Sequence, residues 1–585
     1  MASLLRPCRL TGAALLAALL VACGGGTQED PWTSFAQQKL DWQACDPTLL
    51  GEGDNALTQL GERAQCALMR APLDYSHPGL GELQVAVLRV AAEQPQQRAG
   101  AILFNPGGPG ADGLGFAALH GALWRYANPD SPTGKLLQQL ANRYDMIGFS
   151  PRGVGASSSL TCYSPELKEV QFSLTFDRSP QNLANALRNA RLEAQACRKN
   201  PLSKHIHTDA TARDMDLLRS LLGDARLHYI GYSYGTWLGA WYASLFPERV
   251  GRMLLDSSMD VTASLDDATL LQEMGRQRVI DEVVLPYAAR HPELFNQGSS
   301  AGALRDALLA LSPQVKSVLF SAINVNDPAE IRNNGFLLNA AIQLQALRQQ
   351  NPTADEDQLH AAIAAHAFIP TETENAATAM AAHRLADGLF ASSTRESTLL
   401  LPPTAVNVSV RCNDLATRGN EQHWIDVGND YAARYPFSGG AATENPCLYW
   451  GAPVKPRPPL AAAGTAGPLL LLQSRFDALT PVESAQANLN SLPNASLIVV
   501  ENEYKHGLFP YGQACVDEKV ADYFLHGTVP ARMSICAGKP LAGDAGPASR
   551  QLRTLAASAD EDSAQAEDLM ARIHRKIGKA ARQGF

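Results

Sequence analysis

Apolar residues fall into short runs of strand length through the first half of the chain, and the intervals between several of them carry helical spacing. Positions 83–90 (LQVAVLRV) alternate apolar and polar, the period of a half-buried strand. Positions 100–104, 144–149, 227–230 and 250–255 are short, largely apolar runs of the kind buried strands show. Among them, 208–223 predicts a helix: Thr208 or Asp209 can cap it, Ala212, Met215, Leu218, Leu221 and Leu222 form its apolar stripe, and Gly223 stops it. Residues 236–246 predict a second, buried helix. Strands alternating with helices at this spacing predict a parallel α/β sheet with right-handed crossovers and helices on both faces.

The alternation breaks after Asp256. From about 260 to 400 nothing reads clearly as a strand, whereas Ala, Leu, Gln and Glu abound, as in 337–349 and 356–367, so an inserted helical domain is predicted. Strand-length runs return at 468–473 and 496–501, and 515–526 predicts a helix. The tail from 541 is Ala-rich and polar, with acids at 560–568 and bases at 572–582, an order that suits the macrodipole of a solvated terminal helix. The resulting division is an export segment 1–22, a tether 23–40, an α/β core in two parts (41–259 and 456–540), a helical cap 260–455 and a polar tail 541–585.

Composition narrows the functional classes. The chain has 585 residues, too long for one ordinary core, and 45% of them are hydrophobic, as in globular proteins. A net charge of −9 and the lack of a Lys/Arg block argue against a nucleic-acid partner. Arg6 and Arg9 precede an apolar run, 13–22, that is too short to span a bilayer, and Leu20-Val21-Ala22-Cys23 follows with three glycines behind it. This end resembles a bacterial lipobox, which implies lipidation of Cys23 and a membrane anchor; plain secretion with nearby cleavage is the alternative. Without Cys8 and Cys23, eight cysteines remain: 45, 66, 162, 197, 412, 447, 515 and 536. Neighbour pairing joins Cys45 to Cys66, Cys162 to Cys197, Cys412 to Cys447 and Cys515 to Cys536, one choice among on the order of a hundred. None of them has zinc-site spacing, and no metal is expected.

The chemistry centres on Gly231-Tyr232-Ser233-Tyr234-Gly235, a Gly-x-Ser-x-Gly nucleophile elbow placed between a predicted strand and a predicted helix. A serine nucleophile needs a base and a group to orient that base, and on this fold they follow in the order acid, then histidine. Asp477, just after the strand ending at 473, and His506, just after the one ending at 501, meet that order. Asp256, at the end of another strand, is a rival acid, and His526, in a predicted helix, a rival base. Tyr234 N–H should supply one oxyanion donor and Gly108 N–H, in the turn Asn105-Pro106-Gly107-Gly108-Pro109-Gly110, the other. The same turn also matches the dinucleotide fingerprint through Gly108, Gly110 and Gly113, but Pro109 removes an N–H and an exported protein meets little nicotinamide cofactor, so no cofactor is expected.

These motifs resemble those of the exported tripeptidyl aminopeptidases, in the prolyl aminopeptidase branch of α/β hydrolases, over roughly 41–536. The glycine turn, the elbow, Asp477 with Thr480-Pro481, and His506-Gly507 are similar to the family's blocks. So are Cys515-Val516, Tyr523 and Gly527-Thr528-Val529-Pro530 up to Cys536. Arg411-Cys412-Asn413-Asp414 and Pro446-Cys447-Leu448-Tyr449-Trp450 also resemble family blocks, which supports pairing Cys412 with Cys447. The resemblance implies release of short peptides, often tripeptides, from free N-termini beneath a cap. Asp256-Ser257-Ser258 departs from the family's Asp-Gly, and the cap matches loosely. An aminopeptidase must hold an ammonium group, for which Glu273 and Glu282 are candidates. An esterase or lipase on the same triad, and an inactive binding lipoprotein, are the alternatives.

Overall fold

The computed structural model describes residues 30–50, 54–391, 395–451, 455–544 and 561–583. The export segment, Cys23 and the chain up to residue 29 lie outside them. Among the described residues there are twelve strands: β1 (Gln43–Ala44), β2 (Ala64–Pro72), β3 (Glu82–Val90), β4 (Gly100–Asn105), β5 (Tyr144–Phe149), β6 (Cys162–Leu167), β7 (Leu227–Tyr232), β8 (Val250–Asp256), β9 (Ser397–Leu400), β10 (Leu469–Ser474), β11 (Ala495–Glu501) and β12 (Met533–Ala537). Ten of them form one sheet in the order β1-β2-β3-β5-β4-β7-β8-β10-β11-β12. From β5 to β12 the pairing is parallel; β1, β2 and β3 add an antiparallel edge. This is an α/β-hydrolase fold with a mostly parallel sheet.

The central strands are buried on both faces because helices cover both. On one side Tyr229, Met253, Leu255, Leu469 and Leu471 pack with the helices Thr208–Leu221 and Tyr234–Leu245. On the other, Ile230, Leu254, Leu470 and Leu472 join a cluster that includes the helix Leu114–Arg125. A third cluster, around Val284, Phe295, Leu338 and Leu344, is the core of the cap.

Three sequence expectations change. The stretch assigned to the tether up to residue 40 contains a helix, Pro31–Ala36, whose Phe35 is buried. The stretch 260–455 is not purely helical. β6, from within 41–259, pairs antiparallel with β9, so two remote stretches of chain form a second, two-stranded sheet. The terminal helix, Glu561–Gln583, is docked rather than solvated, with Leu569, Ile573, Ile577, Ala580 and Ala581 buried. At a finer scale, the helix from 208 is capped by His207, whose ring accepts the Ala210 N–H, not by Thr208 or Asp209.

Four disulfides join Cys45 to Cys66, Cys162 to Cys197, Cys412 to Cys447 and Cys515 to Cys536. Trp450 Nε1 donates to Asn413 Oδ1 at 2.8 Å, a further link between the segments that the third disulfide joins. Among the described residues, no helix is long and apolar enough to cross a membrane.

Candidate active site

β7 ends at Tyr232 and the next helix begins at Tyr234, so Ser233 alone makes the turn, at φ 55° and ψ −126°. A non-glycine residue there costs about 1–3 kcal/mol and persists only where its surroundings over-determine it. Ser233 N donates to Asp256 O at 3.1 Å, and Ser233 O accepts from Thr236 N at 2.8 Å and Thr236 Oγ1 at 2.6 Å. The flanking glycines have no room for a side chain. A Cβ on Gly231 would lie 2.5 Å from Gly235 O, and one on Gly235 would lie 2.8 Å from Asn105 O. Tyr234 anchors the start of the helix, its hydroxyl meeting Thr208 Oγ1, which in turn donates to Asp414.

Asp477 and His506 follow β10 and β11, at the same end of the sheet. His506 Nδ1 lies 2.9 and 3.0 Å from the two Asp477 oxygens. Asp477 also accepts the N–H groups of Leu479 and Thr480, both at 2.9 Å, and Thr480 Oγ1 at 3.0 Å, which fixes the carboxylate's plane. With Nδ1–H given to that carboxylate, Nε2 is the ring's free acceptor. His506 Nε2 and Ser233 Oγ are both buried and have no hydrogen-bond partner among the described residues.

Two strand ends hold the His506 loop to the serine turn. Tyr232 Oη, one residue before Ser233, donates to Phe509 O at 2.7 Å. At the end of β8, whose Asp256 carbonyl carries Ser233, Ser257 Oγ accepts Gly507 N–H at 2.8 Å. The Asp256 carboxylate accepts Leu508 N–H at 2.9 Å and Phe509 N–H at 2.7 Å. Asp256, weighed from sequence as the acid, therefore grips the backbone beyond the histidine, whereas the hydrogen bonds to the ring come from Asp477. Burial pushes its carboxyl up to about 7. Ser257 stands at φ 56°, in the left-handed region that favours glycine. His526 is a half-exposed residue paired with Asp522 at 3.2 Å, on the helix the sequence predicted.

The glycine turn lies against the elbow. A Cβ on Gly107 would sit 2.5 Å from Tyr232 O and 3.0 Å from Tyr234 N. Gly107 N–H is taken by Asn105 Oδ1 at 3.0 Å, while the Gly108 N–H has no acceptor among the described residues. Tyr234 N–H is the first orphan donor of its helix. Two such donors converging beside a serine hydroxyl can stabilise a tetrahedral oxyanion, each removal costing about 3–4 kcal/mol of barrier.

The cap supplies carboxylates. Glu273 is buried, accepts Gly440 N–H at 3.1 Å, and is pushed up to about 7 by burial. It lines a cavity of about 170 Å³ with Glu444, which is open to that cavity yet surrounded by protein and is likewise pushed up to about 7 by burial. Glu444 was not singled out in sequence; nothing in Ala-Ala-Thr-Glu-Asn-Pro distinguishes it from a surface acid. Glu282 is exposed and lines none of these cavities. Asn326 was also missed. Its carbonyl accepts His506 N–H at 3.0 Å, and its buried Oδ1 has no hydrogen-bond partner among the described residues. Glu356, His360 and Asp387 bring one potential ligand atom each within 4.8 Å of one another. His360 is already engaged, with Asp387 at 3.0 Å and His383 at 2.6 Å.

The chain is similar to known proteins. Residues 100–324 match the alpha/beta hydrolase fold family and residues 435–536 match the TAP-like protein family. The chain is 29% identical over 520 residues to the tripeptidyl aminopeptidase of Streptomyces lividans, covering 86% of this chain and 87% of that protein. It is 26% identical over 513 residues to serine protease Hip1 of Mycobacterium tuberculosis, covering 85% and 91%. It is 28% identical over 526 residues to carboxylesterase B of the same organism, covering 88% and 92%. The chain thus has the α/β-hydrolase fold and is a serine hydrolase, with a TAP-like segment near the end of its core.

Proposed function

We propose that the protein is an exported serine peptidase that removes short peptides, tripeptides foremost, from free N-termini. Ser233 attacks the scissile carbonyl and His506 takes its proton. Asp477 orients the imidazole and stabilises its charged form, and the N–H groups of Gly108 and Tyr234 receive the oxyanion. The resulting acyl-enzyme is hydrolysed by water with the same base. The observation that carries this reading is the pair of buried, unpartnered atoms, Ser233 Oγ and His506 Nε2, on loops bound to the same strand end. Glu273, with Glu444 beside it, is the group assigned to the substrate ammonium.

Four disulfides support an oxidising location outside the cytosol. Lipidation of Cys23, with the membrane anchoring it brings, completes the proposal.

Ser233→Ala should reduce turnover of a tripeptidyl anilide by about a thousandfold or more while the fold is kept. Unchanged turnover rejects the assignment. The likeness to a carboxylesterase keeps an esterase as the second reading, and an N-acetylated tripeptidyl anilide separates the two. A peptidase that needs the free ammonium rejects the blocked substrate, and an esterase does not discriminate. Labelling of Ser233 by a fluorophosphonate tests the inactive-scaffold alternative.

A further inference from the structure

The C-terminal helix Glu561–Gln583 lies outside both sheet-forming segments, yet it walls the active-site loop. Ile577 packs on Gly507, where an added Cβ would lie 2.6 Å from its Cγ2, and His574 Nε2 faces Leu508 O at 3.4 Å. This docking turns basic side chains of the helix onto two cavities. One, of about 410 Å³, is bounded by His506 and Lys505 and by Arg575, Lys576 and Lys579 of the helix. The other, of about 330 Å³, lies between Lys576 and Lys579 and the glycine-turn residues Pro106 and Ala111. The larger cavity also holds Asp327 and Glu330, so its cations outnumber its carboxylates. His574 is buried and held neutral.

The larger cavity adjoins others in the cap. Asn324 and Asn326 line both it and a neighbour of about 400 Å³, and Arg276, Ser438 and Ala441 line both that neighbour and the cavity of Glu273 and Glu444. The series runs from a carboxylate-bearing end inside the cap to a cationic end at the C-terminal helix. A short free peptide has the matching polarity, ammonium at one end and carboxylate at the other. The amine leaving the acyl-enzyme takes its proton from the catalytic histidine, so the departing fragment lies on the His506 side.

We propose that Lys505 and Lys579 form a subsite for a carboxylate on the departing fragment, which makes short peptides with a free C-terminus, or with an acidic residue just after the cleaved bond, the preferred substrates. This rests on the peptidase reading. An ammonium–carboxylate pair in a partly enclosed cleft is charge-assisted and is weakened by salt.

The test uses the full chain and pairs of tetrapeptides and pentapeptides identical except for a C-terminal carboxylate or amide. The wild type is expected to favour the acid by about fivefold in kcat/KM, the size of one such contact. Raising ionic strength should shrink the ratio, and Lys579→Glu should bring it to about one or invert it. Lys579→Met, which keeps the side-chain length without the charge, should give an intermediate ratio. Equal use of acid and amide by the wild type, or a preference that survives Lys579→Glu and high salt, overturns the subsite. A wild type that cleaves no tripeptidyl anilide overturns the peptidase reading and the subsite with it. Cleavage of the anilide without any acid preference overturns the subsite alone.

Discussion

Ser257 and Asp256 set the position of a histidine they do not touch. Ser257 combines a left-handed backbone with a hydroxyl that satisfies Gly507 N–H, so its two substitutions should separate the two effects. Ser257→Gly relieves the strain but leaves that buried donor unpaired, at about 1–3 kcal/mol. Ser257→Ala loses the hydrogen bond and keeps the strain. The alanine variant should therefore have the lower denaturant midpoint, and the opposite order would show that Ser257 relaxes out of its positive φ. Both should lower kcat more than they raise KM. A second comparison tests the roles of the two aspartates. Asp477→Asn removes the group that sets the imidazole tautomer and should cost about 10⁴-fold in kcat. Asp256→Asn disturbs only the backbone grip on Leu508 and Phe509, so its loss should stay near tenfold, an order-of-magnitude expectation for a misplaced loop. Equal losses would return Asp256 to the acid's role.

The elements the chain discloses most openly are those buried on both faces. β5 and β8 read as near-continuous apolar runs because helices cover them above and below, and the elbow was legible because its glycines are demanded by backbone clashes. β6 was not legible. Its sequence, CYSPEL, carries a proline and polar residues, and it is a strand because β9 lies beside it. The C-terminal helix misled for a different reason. Its order of acids and bases fits a solvated helix, yet Leu569, Ile573, Ile577 and Ala580 recur at helical spacing as a buried stripe. Glu444 and Asn326 could not be found from the chain because only the cavities give them meaning. Ile577→Ala should lower stability by about 2–4 kcal/mol. Because Ile577 bears on Gly507, it should also reduce kcat/KM. A stability loss without any kinetic effect would mean that the helix only packs.

At the scale of the whole molecule, buried titratable groups shape the response to pH from two directions. Asp256, Glu273 and Asp414 are pushed up to about 7 and Asp517 to about 6, each chiefly by burial. Their folded values lie above those of the unfolded chain, near 4, so between about pH 4 and 7 the native state holds more protons. Stability from these groups is therefore greatest at the acid end and falls as pH rises through that window. The depressed carboxylates, such as Glu501 and Asp544, belong to part-exposed ion pairs, and their opposite slope lies at lower pH. Buried histidines oppose the slope of the raised carboxylates, since His120, His207 and His574 are lowered chiefly by burial and favour the native state more as pH rises. The carboxylate effect is isolated by Glu273→Gln, which in calorimetry should gain on the wild type as pH rises from 5.5 to 8; a difference that does not change with pH would mean that burial does not hold this carboxyl up. The joining of β6 to β9 carries a mechanical consequence. A ladder between stretches this remote in the chain means that neither can move away without breaking hydrogen bonds to the other, so the two segments shift together or not at all.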